Sequence, residues 1–309
     1  MSDEQREFMS TMTDALWQCI QQRINGTTRT EFLQQLRDQV QQYSSGSEFI
    51  YKQISRDLLG VRAHLGTQYL VASFSQRDQS TLMGHYGAVP IGHWKVDEAC
   101  RVWYLSSLLD GRTNGYQILF ELYDQGDSEC RIACLRALNF CQGEVEHGLA
   151  LIHDAGRTYL PDLLSAAWRH NPFSSQFLSD LEYRKAVLKA LFCEIPVEGF
   201  LKLYERADAD LSRSLCEYAN EREAAGRPVP LSIWTVAARF PIPGLVARLI
   251  GRLEHPNQQE RLYAARALQS AVDSRSESFL QERLQREKNV EVQQAIQGAL
   301  HTLQAGDHG

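Results

Sequence analysis

The sequence predicts an all-α fold, a HEAT-like α-solenoid or an irregular stack of antiparallel helical hairpins. Three observations predict it. Apolar residues recur with helical spacing along nearly all of the 309 residues, and strict apolar–polar alternation is almost absent. The stretch 187–234 reads as one helical run, with Gly and Pro only where helices should stop. The octet RIACLRAL (131–138) returns as RLYAARAL (261–268) and, more weakly, as QQAIQGAL (293–300). The last two Ala-Leu pairs lie 32 positions apart, and the preceding gap of 130 is close to four such steps. Small residues at these positions let antiparallel helices approach closely, while Leu fills the space between pairs. The chain therefore reads as a single repeat unit over 1–309, with HEAT-like repeats at 241–309 and a flexible tail at 304–309.

The first helix carries Phe8, Met12, Ala15, Leu16, Cys19 and Ile20 on one face and ends at Asn25-Gly26. Thr28 and Glu31 read as a capping box opening a second helix, striped by Phe32, Leu33, Leu36, Val40 and Tyr43. A loop at 44–47 precedes a helix marked by Ile50, Ile54 and Leu58. Gly84, Gly87, Pro90 and Gly92 make 76–93 a long connection, of the length that often carries function. Residues 96–109 form a strong helix, with Asp97 and Glu98 in the first turn where the helix dipole favours them. Gly111 stops it, and Tyr116, Leu119, Phe120 and Tyr123 begin the next. Asp127 or Ser128 caps a helix over 129–141, Asn171-Pro172 breaks the helix holding Leu163 and Trp168, and Asn257 with Glu260 opens another.

Composition narrows the function. The net charge of −6 argues against a nucleic-acid footprint. No apolar run is long enough to span a membrane, and the N-terminus MSDEQREFMS lacks a signal-peptide pattern. Seven scattered cysteines suit reduced thiols in a cytoplasmic protein. Cys130, Cys134 and Cys141 share one helical face near His147, but they interleave with Ala133, Ala137 and Leu138 as a packed interface does, so no metal site is expected. Nucleophile-elbow and phosphate-loop motifs are absent, and neither catalytic residues nor a cofactor are expected. His85 and His93 flank the glycine-rich loop and are read as solvated or capping.

The ordered motifs Trp94-x-Val96-Asp97-Glu98-Ala99-x-Arg101, Gly156-Arg157-Thr158 and Asn171-Pro172-Phe173-x-x-x-Phe177 precede VLKALF at 187–192. Arg206-Ala207, Tyr218-Ala219-x-Glu221-Arg222-x-Ala224-Ala225-Gly226-Arg227-x-Val229 and Trp234 follow. Together they resemble the EboA family, encoded in a bacterial and algal secondary-metabolite operon, over about 94–234. The chain departs from that pattern at Tyr159, Tyr183, Glu217 and Glu223. The resemblance implies a non-catalytic helical scaffold or carrier that works with co-encoded operon proteins on a small metabolite precursor.

The candidate groove takes Trp94, Asp97, Arg101, Arg157 and Asn171 from the first part of the chain. From the second it takes Arg206, Glu217, Glu221, Arg222 and Arg227. The alternative is an enzyme in which Glu217 or Glu221 acts as acid or base beside Arg222.

Overall fold

The computed structural model describes residues 3–44, 51–71 and 80–306. Helices dominate it, as the periodicity predicts, with one two-stranded sheet among the described residues. The chain divides into two compact units, the first Met1–Ala186 with Gly199–Leu201, the second Val187–Glu198 with Lys202–Gly309.

In the first unit, α1 (Asp3–Arg23), α2 (Thr27–Ser44), α3 (Tyr51–Leu59) and α4 (Val61–Leu65) precede the strands β1 (Thr81–Gly84) and β2 (Gly87–Pro90). The expected capping box at Thr28 does not begin α2, which already contains Thr28. Residues 45–47 of the expected loop lie outside the described residues, as do 76–79 of the long connection. The rest of that connection is a correction to the sequence reading. Residues 81–90 form an antiparallel hairpin, with Leu82 opposite Val89 and His85-Tyr86 as a two-residue loop. The glycines that spelled a loop instead shape the hairpin. Gly87 takes φ +113°, and a side chain at Gly84 would bring its Cβ to 2.5 Å from the Asn139 carbonyl.

Five more helices follow: α5 (Val96–Leu108), α6 (Gly115–Gln125), α7 (Ser128–Ala137), α8 (Val145–Arg157) and α9 (Pro161–Trp168). α10 (Pro172–Phe177) comes next, and α11 (Asp180–Phe192) carries the division between the units. α5 is buried nearly all round, because α1, α2, α4 and α7 all pack on it. From α5 onward helices contact those one or two places along, α5 with α7, α7 with α9, α6 with α8, and α8 with α10. Asp127 caps α7 by accepting from the Cys130 amide at 2.8 Å, and Asn171 caps α10 by accepting from Ser174. α7 ends at Ala137, four residues short of the expected limit.

Residues 193–208 correct the reading of 187–234 as a continuous helical run. α11 ends in a Schellman turn, in which the Ile195 amide donates to the Ala190 carbonyl and Glu194 sits at φ +58°. A 3₁₀ turn at Val197–Gly199 and further turns follow before α12 (Ala209–Ala224). Residues 199–201 return to the first unit: the His170 amide donates to Gly199 at 2.7 Å and the Tyr183 hydroxyl to Leu201 at 2.8 Å.

The second unit continues with α13 (Ser232–Ala237), α14 (Leu245–Arg252), α15 (Gln258–Ala271), α16 (Glu277–Arg286) and α17 (Val290–Gly306). α15 packs on α13, α14 and α17 much as α7 packs on α5, α6 and α9, and these two helices carry the repeated octet. The octet's first residue does the same job in both. Arg131 donates to the Tyr123 and Gly126 carbonyls that end the preceding helix, and Arg261 donates to the His255 and Pro256 carbonyls. Ala133, Ala137 and Leu138 are fully buried, as are Ala264, Ala267 and Leu268.

Candidate functional site

The first unit contains a cavity of about 610 Å³ whose wall is charged. Its foundation is the start of α5, where Asp97 and Arg101 stand one turn apart on the same face. Their side chains pair at 3.0 Å, with Asp97 4% and Arg101 3% exposed. Arg101 also donates to the Leu58 carbonyl and, from its other terminal nitrogen, to Glu129 at the start of α7. Glu129 accepts a second guanidinium from Arg62 on α4. A carboxylate held between two guanidiniums forms strong charge-assisted bonds, and its position in the first turn of α7 suits the helix dipole.

Further along α7, Arg136 donates to Glu98 at 3.1 Å and to the Arg169 carbonyl at 2.7 Å. Its guanidinium lies 5.9 Å from the centre of the Trp94 ring, a cation–π contact beneath the wall. The His93 and His170 rings stack, 4.9 Å apart and within 8° of parallel. Burial, with the Arg136 and Arg169 charges beside it, pushes the His170 imidazole down to about 3, so this ring is neutral at ordinary pH. His93, read from the sequence as a solvated or capping loop residue, is exposed, and it also lines the cavity.

Five cationic residues (Arg62, Lys95, Arg101, Arg136, Arg169) and four carboxylates (Asp97, Glu98, Glu129, Asp162) line the space, so it offers donors and acceptors of both signs. Among the described residues, Asp97 Oδ1 and the Trp94 indole nitrogen are buried without a hydrogen-bond partner. Burying three charged side chains beside one cavity carries a desolvation cost of several kcal/mol per ion unless the partners are very well placed. Such an arrangement contributes little to stability.

The residues expected to share one groove have different surroundings. Asp97 and Arg101 meet in the cavity wall, and Trp94 lies fully buried behind it. Arg157 pairs with Asp154 at 2.8 Å and lines a different hollow beside Tyr123. Asn171 is wholly buried, donating to the Leu135 and Ala166 carbonyls, and serves as a helix cap.

In the second unit, Arg206 is half-buried at the end of the turns after Leu201. Glu217, Glu221 and Arg227 are exposed. Arg222 donates to the Pro228 carbonyl at 2.9 Å and lines a cleft of this unit. Sequence reasoning did not assign Arg62, Glu129, Arg136 or His170 to a site. The octet did not mark Arg136, because its counterpart Arg266 is the same residue type and is exposed. The cysteines read as core are core: Cys134 is fully buried, and burial raises its thiol well above the ordinary range.

Helices that enclose a charge-lined cavity define the class, an all-α protein with a polar pocket in its wall. Residues 12–238 match the family described as metabolite traffic protein EboA, and the chain belongs to that family. The match begins far upstream of Trp94 and takes in the later part of α1, all of α2 and every element that lines the cavity. No curated protein and no solved structure matches the chain. Among the described residues no helix is long and apolar enough to cross a membrane.

Proposed function

We propose that this protein is a non-catalytic carrier that holds a small polar metabolite in the cavity between α4, α5, α7 and α9. One observation carries the reading: Asp97, Arg101 and Arg136, all more than nine-tenths buried, converge on one space large enough for a small molecule. The mixed charge suits a ligand bearing hydroxyl groups, or both an acidic and a basic group, over a purely apolar or purely anionic one. The family description as metabolite traffic supports carriage over turnover. In this reading the protein works in the cytoplasm, where the unpaired thiols of Cys100, Cys134 and Cys141 stay reduced, and exchanges its ligand with co-encoded operon proteins.

Native mass spectrometry of protein purified from its own host tests the proposal. A small molecule is expected to stay bound to wild type and to be lost from the Arg62→Ala/Lys95→Ala double variant, whose exposed substitutions spare the fold. Recovery of bare protein, with no co-encoded protein retained in a pull-down, would overturn it. The exposed pair Glu217 and Glu221 lines neither this cavity nor the cleft of the second unit. Carriage therefore predicts that Glu217→Gln/Glu221→Gln leaves the pathway's product unchanged.

A further inference from the structure

The second unit holds a cleft of about 430 Å³ of different character, sharing no residue with the charged cavity. Leu191, Ile195, Val197 and Leu231 give it an apolar floor, and Pro196, Pro228 and Pro230 stiffen its walls. The Tyr218 ring is fixed in that floor, because its hydroxyl donates to the Leu191 carbonyl at 3.0 Å and Phe192 packs edge-on against it at 5.3 Å. Gln259 and Tyr263 of α15 close one side, and both lie beyond the 12–238 match to the family.

The electrostatics of the rim select a ligand. Among the described residues of the lining Arg222 is the one cation, and it is occupied: its Nε donates to the Pro228 carbonyl at 2.9 Å and its guanidinium faces Glu194 at 3.6 Å. Glu198 is exposed at the same rim, so two carboxylates oppose one guanidinium there. A flat apolar body would fill the floor between Tyr218 and Tyr263, and a positive end would meet Glu198. The volume falls in the range of small-molecule pockets, about 300–1,000 Å³.

We propose that this cleft is a second binding site, taking a small aromatic amine or a similar amphipathic cation. Two probes with the same ring and opposite charge test it on the full chain, naphthylmethylamine and naphthoic acid, titrated by isothermal calorimetry at low salt. The amine is expected to bind at least about fivefold more tightly than the acid, the scale of one partly exposed ion pair. Glu198→Gln should remove that preference, and Tyr263→Ala should weaken both probes about tenfold by taking away a wall. Both sites are partly exposed or exposed, and an unchanged circular dichroism spectrum would show that the variants fold. Equal or tighter binding of the acid overturns the charge assignment. Binding of neither probe, or affinities that both variants leave untouched, overturns the site.

Discussion

At the scale of single residues, Arg101 is the side chain on which the cavity wall depends. It bonds to Asp97, Glu129 and the Leu58 carbonyl, and it is the partner that compensates the buried Asp97. Removing one member of a buried pair leaves the other charged in a poor solvent and costs about 3–5 kcal/mol. Arg101→Met is therefore expected to lower the unfolding free energy by about that amount in urea titration, and Arg101→Met/Asp97→Leu to recover much of it. Arg62 makes the contrast. It reaches the same Glu129 from an exposed position, so Arg62→Ala should cost less than about 1 kcal/mol. If the two single variants proved equally harmful, the network would not be organised around α5.

At the scale of elements, the seams between helices depend on close approach and on buried clamps. Gly148 lies inside α8, where a Cβ would stand 2.4 Å from Cζ of Phe173 on α10. That ring is fully buried among Tyr86, Tyr116 and Phe177 and cannot swing aside. Alanine would gain about 1 kcal/mol of helix propensity but overpack the seam by about 1–3 kcal/mol. Gly148→Ala is expected to lower the thermal midpoint, and Gly148→Ala/Phe173→Leu to regain part of the loss.

A buried clamp ties α15 to the junction of α16 and α17, where Glu287 accepts from Arg261 and Arg283 and from the Lys288 and Asn289 amides. The Arg261 hydrogen bond, chiefly, holds its carboxyl well below the ordinary range. The folded state thus favours the carboxylate, and the resulting stability is complete above the unfolded pKa of about 4.3 and lost as pH falls below it. Unfolding midpoints followed from pH 6 downward should drop below about pH 4.5. Glu287→Gln should lie lower at pH 6 and show a flatter acid limb; an unchanged limb would remove Glu287 from the account.

At the scale of the whole molecule, the sequence disclosed what is local and concealed what is not. Helices were legible because burial repeats at their own period, and the caps Asp127 and Asn257 because a short side chain answers an amide two or three residues away. Asp97 and Arg101 were both expected in the groove, though not as an ion pair. The rest of the cavity was not legible, because Arg62 meets Glu129 across 67 residues and Arg101 meets Glu129 across 28. No local pattern marks such partners. The hairpin at 81–90 and the turns at 193–208 were missed because glycine and proline announce a bend without saying what lies on either side of it.

The same contrast fixes where a bound metabolite would be felt. A ligand bound to the folded chain alone slows local opening by mass action, about 2.7 kcal/mol at a hundredfold excess over Kd, and does so most for the amides of the elements it touches. Hydrogen exchange of the loaded protein should therefore slow in α5, α7 and α9, three stretches far apart in sequence, and leave α15–α17 at their unliganded rates. Protection confined to 191–232 and 258–263 would instead place the carried molecule in the apolar cleft, and the charged cavity would lose its role.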